Sequence, residues 1–383
     1  MTVDLTHLTQ VMTAALLRDL GDEVELIFRY GSFLNGNTHA YSDLDISYIP
    51  VHESTGHHIT VTVADMLCDL YPIHWSQLES MARFENVSST VLLTYQVIYQ
   101  RSAAAAERLQ QLADQLRAAL QPAAQQAMVR KAQEYFQQTG YPFYLLQQQA
   151  ALGNQLACLQ QAQSIVGTVV HSLAIYNQRV VDTRKLDQIL ALPQLPTDFA
   201  TTLAWVTNAT DPDELSAASE ELLDTTHALL LADQRRCPNR EATYTSAFGA
   251  GYPELKGDLQ HILLACERQD RFALNRLLVS LYHELSLATA NAETGISYSG
   301  FNSLADYEQD FVALGFPPLI SYLESADFDE LYRQTLVFDE HLQRFLVGHG
   351  APLYTFATVA ELEQHLALDK TESDRRWVMD YNP

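Results

Sequence analysis

The sequence predicts an α+β fold, in which a small mixed-sheet domain is followed by all-α helical bundles. Runs of β-forming residues separated by turn residues occur before residue 101, whereas later segments are rich in Ala, Gln and Leu at helical spacing. The chain has 383 residues, and roughly 100–200 residues per domain predicts two or three domains. We expect these domains to cover 1–101, 102–234 and 235–383.

The first domain is predicted to begin with a helix, because apolar residues recur at helical spacing from Leu5 to Leu16. Thr6 is placed to cap this helix. A second helix is expected over 75–84, and Ala64-Asp65 is expected to form a turn between two strands. The predicted strands cover 24–30, 44–49, 59–63, 66–73 and 92–99.

The remainder of the chain is predicted to be nearly all helix, with long periodic segments such as 104–138 and 144–176. Two Pro residues interrupt this pattern within 192–196. The segment 235–253 carries two Pro and two Gly among polar residues, so we place the boundary between two helical regions there.

The charge balance excludes one function class. Asp and Glu number 47 against 23 Lys and Arg, which gives a net charge of −24, and only four residues are lysines. A protein that binds a phosphate backbone needs the opposite balance, so nucleic acid is not an expected partner. An acidic protein instead attracts cationic ligands and divalent metals.

Cysteine usage and the N-terminus predict a protein of the cytoplasm. The four cysteines are scattered and form no C-x-x-C pair, which argues against a disulfide framework or a zinc site. The N-terminus lacks a basic stretch followed by an apolar one, and no apolar run approaches the ~18 residues that span a bilayer. A membrane is therefore not an expected partner.

One motif carries the expected chemistry: Gly31-Ser32, ten further residues, and then Asp43-x-Asp45 at the start of a predicted strand. Side chains at i and i+2 of a strand point to the same face, so the two carboxylates should converge. Two neighbouring carboxylates repel each other unless a cation lies between them. Mg²⁺ suits this position, since it binds through one or two carboxylates together with substrate phosphates.

The Gly31-Ser32 pair lies at the predicted turn between a strand and a short helix. Glycine lets the backbone turn sharply and approach a ligand closely, and Ser32 adds a hydroxyl at a helix N-terminus. We therefore predict that Gly31 and Ser32 hold the phosphates of a nucleoside triphosphate, which metal ions link to Asp43 and Asp45. The alternative is an ordinary acidic turn.

This stretch resembles the signature of the nucleotidyltransferase superfamily related to DNA polymerase beta. The resemblance covers about residues 20–100, and the succession of one sheet domain and helices resembles antibiotic nucleotidyltransferases of the kanamycin and lincosamide type. It implies a small mixed sheet, Mg²⁺ held by Asp43 and Asp45, and an NTP, with ATP expected, as co-substrate. It also implies a role in antibiotic resistance.

Family members carry a third carboxylate on a neighbouring strand, and the resemblance therefore implies one here. Asp69 is the preferred candidate, as an isolated acid in an apolar strand pattern, and Asp65 is the competitor. Asp69 would be the third metal ligand or the base that takes the proton of the acceptor hydroxyl. Lys185 and Lys256 are candidates for the triphosphate, because lysine is so scarce in this chain.

Lys185 belongs to a further segment, Asn177-Gln-Arg179 to Arg184-Lys185-Leu186, that is similar to one in the helical bundle of related bacterial adenylyltransferases. Among the histidines near the motif, His57, His58 and His74 lack the spacing of a metal site. Surface or packing roles are expected for them.

The expected reaction transfers AMP from the NTP to a hydroxyl and releases pyrophosphate. The acceptor is expected to be a small molecule, with an aminoglycoside-like cation favoured by the acidic charge. The alternatives are a protein side chain, as in toxin–antitoxin AMP transferases, a tRNA end, and a catalytically retired nucleotide-binding module. Two Arg and His pairs, at 276 and 283 and at 344 and 349, match the spacing of helical RNases paired with small nucleotidyltransferase antitoxins, and we interpret both as chance.

Overall fold

The computed structural model describes residues 4–35, 42–52, 58–64, 66–234, 243–248, 251–294 and 311–367. It confirms the predicted α+β class, since a small mixed sheet lies at the N-terminal end and helices follow it. The chain divides into two compact units, Met1–Leu230 and Leu231–Pro383, which are called unit 1 and unit 2 below. The separation of 1–101 from 102–234 as domains stays a prediction.

Five strands form the sheet of unit 1 in the order β3-β4-β2-β1-β5. Strands β2 and β4 are parallel, and the other neighbouring pairs are antiparallel. The strand bounds are β1 Val24–Tyr30, β2 Leu44–Pro50, β3 Ile59–Val63, β4 Met66–Pro72 and β5 Tyr95–Gln100.

One face of this sheet packs against helix α1, Leu5–Leu20. Met12 and Leu16 of the helix join Ile27, Ile46 and Leu70 of three strands in a buried core. Because strand side chains alternate between faces, the residues between these apolar positions point to the opposite face. That opposite face carries the candidate site.

The cap prediction for α1 is wrong: the N-cap is Asp4, whose carboxylate accepts hydrogen bonds from the backbone N–H groups of Thr6 and His7. Asp is among the strongest N-cap residues because its side chain reaches the unpaired N–H groups of the first turn. Helix α2 is the predicted short helix after the glycine turn and covers Ser32–Asn35.

The last strand begins later than predicted. A helical turn, α4, covers Thr90–Leu93, and only Tyr95–Gln100 pairs with β1. Val91 and Leu92 are buried by this turn, and a continuous apolar run does not by itself distinguish a strand from a short buried helix. Helix α3 covers Trp75–Ala82 inside the predicted range and has a capping box formed by His74 and Gln77.

Seven further helices follow in the described residues from 103 to 234, and the last of them extends past the boundary of unit 1 at Leu230. Helix α8 is largely buried through residues such as Ile165, Val169 and Leu173, and it packs against α6 and α7. Their bounds are α5 Ala103–Ala119, α6 Gln125–Phe136, α7 Gly140–Ala151, α8 Gln155–Tyr176, α9 Leu186–Leu190, α10 Phe199–Asn208 and α11 Pro212–Gln234.

Unit 2 is helical in its described residues. A core with Leu278 and Phe338 joins its helices. Within it, Lys256 forms an ion pair with the buried Asp339, which also accepts a 2.8 Å hydrogen bond from the Tyr252 hydroxyl. The helices are α12 Tyr244–Phe248, α13 Tyr252–Glu267, α14 Arg271–Thr294, α15 Leu319–Glu324, α16 Phe328–Gly348 and α17 Val359–Ala367.

The described residues bear on the state of the cysteines and on the expectation about membrane-spanning segments. Cys68, Cys158 and Cys266 are buried and free, while Cys237 lies outside those ranges. No helix that the structure describes has both the length and the apolar character needed to cross a membrane.

Candidate active site

Three strands place two of the predicted site residues, Asp45 and Asp69, in one row with Tyr30. Asp45 of β2 lies in register with Tyr30 of β1 on one side and with Asp69 of β4 on the other. Residues in register on neighbouring strands share a face, so both carboxylates point away from the α1 core. Asp43 directly precedes β2 and is exposed.

Gly31 forms the turn directly after β1. Its φ of +94° lies in the region that favours glycine, and a Cβ atom at this position would be only 2.8 Å from Oδ2 of Asp45. The carboxylate therefore lies against the glycine backbone, and any side chain there would displace it. The side chain of Ser32 lies outside the described part of the structure, so its contact with phosphate stays a prediction.

The pKa of Asp45 is raised from 3.8 to about 6. Burial of the carboxylate is the largest cause, and the charges of Asp43 and Asp69 add to it, while Arg184 opposes the shift. The positive charge of Arg184 therefore does not fully compensate the negative charge of the Asp45 carboxylate.

Asp69 has the opposite environment. Its Oδ1 accepts a 2.6 Å hydrogen bond from the Thr60 hydroxyl and lies 2.9 Å from Nε2 of His58. These two partners, Thr60 first, hold the pKa of Asp69 below its ordinary value despite partial burial. The competing candidate, Asp65, lies outside the described residues.

The basic group that faces the aspartates is Arg184. A pair of hydrogen bonds to the Asp182 carboxylate, Nε to Oδ1 at 3.0 Å and Nη2 to Oδ2 at 3.1 Å, fixes its guanidinium. Asp182 raises the pKa of Arg184, and the charges of Asp43 and Asp45 raise it further. Arg184 is therefore held within electrostatic reach of the predicted metal ligands.

The sequence interpretation singled out Lys185 and passed over Arg184. Lys185 is the N-cap of α9, and its Nζ lies 4.0 Å from Asp182 Oδ2. The scarcity of lysine drew the prediction to Lys185, whereas the neighbouring Arg184 is the residue whose charge acts on Asp43 and Asp45. Contact of Lys185 with a nucleotide stays a prediction.

Two tyrosines cover the sheet beside Asp45. The hydroxyls of Tyr30 and Tyr71 form a hydrogen bond above β2, which lies between their strands, and Ser47 of β2 is fully buried. Burial and the neighbouring Tyr71 raise the pKa of Tyr30, and the charge of Asp45 raises it further. The Tyr30 phenol is therefore neutral at physiological pH and adds no charge to the site.

The donor set can be compared with the needs of Mg²⁺. Within the described ranges, no group of three or more His, Cys, Asp or Glu side chains is arranged to hold a metal ion. Mg²⁺ usually takes one or two protein carboxylates and completes its shell with water and substrate phosphates, so it does not need a preformed cage. Asp43 and Asp45, two adjacent oxygen donors with excess negative charge, fit this requirement.

The remaining candidates have local partners. His74 takes part in the capping box of α3, and His57 lies outside the described residues. In unit 2, Nε of Arg344 donates to the carbonyl of Glu340 at 3.2 Å, and Nδ1 of His349 lies 2.8 Å from the carbonyl of Phe345. Both contacts are within one helix, as in an ordinary helix surface.

Comparisons with known proteins leave the family open. No protein-family model matches the chain, and no curated protein matches it. Among solved structures, the chain is similar to a nucleotidyltransferase-like protein from Exiguobacterium sibiricum, with 11% identity and a TM-score of 0.31 over 79% of this chain and 91% of that one. A likeness of this size does not align individual residues, so the functional argument rests on the site itself.

Proposed function

We propose that this protein is a nucleotidyltransferase that moves a nucleoside monophosphate from an NTP, with ATP as the expected donor, to an acceptor hydroxyl. The observation that carries the proposal is the position of Asp45. Its carboxylate lies against the Gly31 turn, in register with Asp69 and next to Asp43. A charged group in such a place needs a cation, and a metal-bound triphosphate supplies one.

Each residue has a role in this proposal. Asp43 and Asp45 hold Mg²⁺, which when bound neutralises the phosphates and polarises the reacting phosphorus centre. Gly31 and Ser32 contact the outgoing phosphates, and Arg184 places its guanidinium near them. The acceptor oxygen bonds to the α-phosphorus as the bond from that phosphorus to the pyrophosphate oxygen breaks. Asp69 either takes the hydroxyl proton or acts as a third metal ligand, in which case the proton passes to water or to the released pyrophosphate.

The acceptor is proposed to be a hydroxyl-bearing small molecule, with a cationic, aminoglycoside-like compound as the first candidate. Support comes from the net charge of −24 and from the excess of acids at the site itself. A protein side chain is the second candidate acceptor, and a tRNA end is disfavoured by charge. The alternative to an enzyme is a nucleotide-binding module without turnover, which the intact row of acids disfavours.

The test is pyrophosphate release by the full chain with Mg²⁺ and each NTP, against aminoglycosides, lincosamides and a protein lysate. Asp45→Asn should abolish acceptor-dependent release, because it removes a metal ligand. Asp19→Asn is the matched control, since this exposed aspartate contacts only Arg18 among the described side chains. Release by Asp45→Asn at the wild-type rate would refute the proposal, and NTP binding without release to any acceptor would favour the binding module.

A further inference from the structure

The outer strand β3 supplies two polar side chains to Asp69. Thr60 is directly opposite Asp69 in the antiparallel register of β3 and β4. His58, two residues earlier, lies on the same side of the chain and also reaches the carboxylate. Both hydrogen bonds that these residues make to Asp69 end on Oδ1.

The protons available to Asp69, Thr60 and His58 decide which of these side chains donates each hydrogen bond. A carboxylate only accepts, so the hydroxyl proton of Thr60 goes to Asp69 Oδ1 at 2.6 Å. His58 Nε2 lies 2.9 Å from the same oxygen and 3.0 Å from Thr60 Oγ1, and both atoms can only accept from it. Nε2 of His58 must therefore carry a proton.

We propose that Thr60 and His58 are positioning residues that fix the orientation of the Asp69 carboxylate and direct Oδ2 to the acceptor hydroxyl or the metal. This inference rests on the proposed function and deepens it. The terminal torsion of an aspartate is broad, so without donors the plane of the carboxylate rotates readily. Two donors on one oxygen remove that freedom.

The position of Asp69 makes such donors necessary. Its side chain is 26% exposed and lies beside the uncompensated Asp45, so repulsion from Asp45 would turn it toward solvent. The donors on β3 hold the carboxylate in the row. The lowered pKa of Asp69 agrees with this arrangement, because Thr60 and His58 stabilise the charged form.

The activity test compares three threonine variants of the full chain. Thr60→Val keeps the shape but removes the donor, and we expect kcat of pyrophosphate release to fall about 10- to 100-fold at little change in KM for the NTP. Thr60→Ser restores the hydroxyl and should restore kcat. Thr62→Val is the matched control, since Thr62 is exposed on the same strand opposite Leu67. Equal kcat values for Thr60→Val and Thr62→Val would overturn the proposal.

A second measurement does not depend on turnover. In the wild type, the Nε2-bound proton of His58 should be visible by nitrogen-resolved NMR through slowed exchange with water, although the side chain is 57% exposed. Thr60→Val and Asp69→Asn should each speed that exchange, and Thr62→Val should not. Fast exchange in the wild type would overturn the proposed orientation. Slow exchange in a wild type that releases no pyrophosphate with any acceptor would instead refute the proposed function and leave the orientation in place.

Discussion

Asp45→Asn should stabilise the metal-free protein at neutral pH. The pKa of Asp45 rises from 3.8 to about 6 in the folded state, chiefly by burial and then by the charges of Asp43 and Asp69. At ~1.36 kcal/mol per pKa unit, the charged carboxylate costs at most about 3 kcal/mol. Because the side chain is partly exposed and solvent screens it, we expect the variant to gain about 1–2 kcal/mol of unfolding free energy.

The effect has a defined pH dependence. Between pH 3.8 and about 6, the folded protein binds the Asp45 proton more tightly than the unfolded chain does. Wild-type stability from this group therefore falls as pH rises through that interval, and the cost is complete above about pH 6. The variant carries no such charge, so its advantage should be absent at low pH and should reach its full value near pH 7.

The assay is urea unfolding of both proteins in the presence of a chelator, across this pH range. Tryptophan fluorescence suits it, because Trp75 and Trp205 both lie in unit 1 with the site. Added Mg²⁺ should stabilise the wild type and not the variant, since cation binding relieves the repulsion. A stability difference that does not change with pH, or a variant that is less stable at neutral pH, would refute the electrostatic argument.

Three further predictions concern the glycine turn, the arginine and the acceptor. Gly31→Ala should cost about 1–3 kcal/mol of unfolding free energy and displace the Asp45 carboxylate, since the positive φ and the 2.8 Å approach exclude a Cβ; unchanged urea unfolding would contradict it. Arg184→Ala should raise KM for the NTP by about tenfold or more, while Lys185→Ala should change it by less than about threefold. The reverse order in steady-state kinetics would indicate that Lys185, and not Arg184, contacts the phosphates of the NTP. The affinity for an aminoglycoside, measured by calorimetry with Mg²⁺ and a non-hydrolysable NTP, should fall clearly between 0.01 and 0.1 M salt, because the Debye length falls from about 30 to about 10 Å. Binding that does not depend on salt would favour a protein acceptor.

The strands were predictable because their signals are local. Runs of β-branched and aromatic residues bounded by turn residues predicted the bounds of β1 and β3 and located β2 and β4 to within one residue, at their ends Pro50 and Pro72. The cap of α1 and the start of β5 were not predictable in this way, because the local pattern leaves more than one capping residue and more than one conformation open. Asp4, and not Thr6, caps α1. The apolar run that contains Val91 and Leu92 forms a buried helical turn instead of the start of a strand.

The site residues also fall into those that a local pattern predicts and those that depend on tertiary structure. The i, i+2 spacing of Asp43 and Asp45 is a local pattern, so the effect of the Asp43 charge on Asp45 could be inferred from one stretch of sequence. The register of Asp69 with Asp45, and the donors that Thr60 and His58 give to Asp69, depend on strand pairing that no spacing encodes. Arg184 reaches the site only through a turn after α8, where Asp182 fixes its guanidinium.

Two neighbouring carboxylates with opposite pKa shifts allow a division of roles under the proposed function. Asp45 has a raised pKa because burial, and then its negative neighbours, disfavour the charged form, which is the condition of a group that gains from binding a cation. Asp69 has a lowered pKa because Thr60 and His58 stabilise its ionised form. A general base must be ionised before the acceptor hydroxyl arrives, and a metal ligand must gain from the metal. On these grounds Asp45 is the better metal ligand of the two. Asp69 is ionised without a metal, and its lowered pKa makes it a weaker base for the hydroxyl proton.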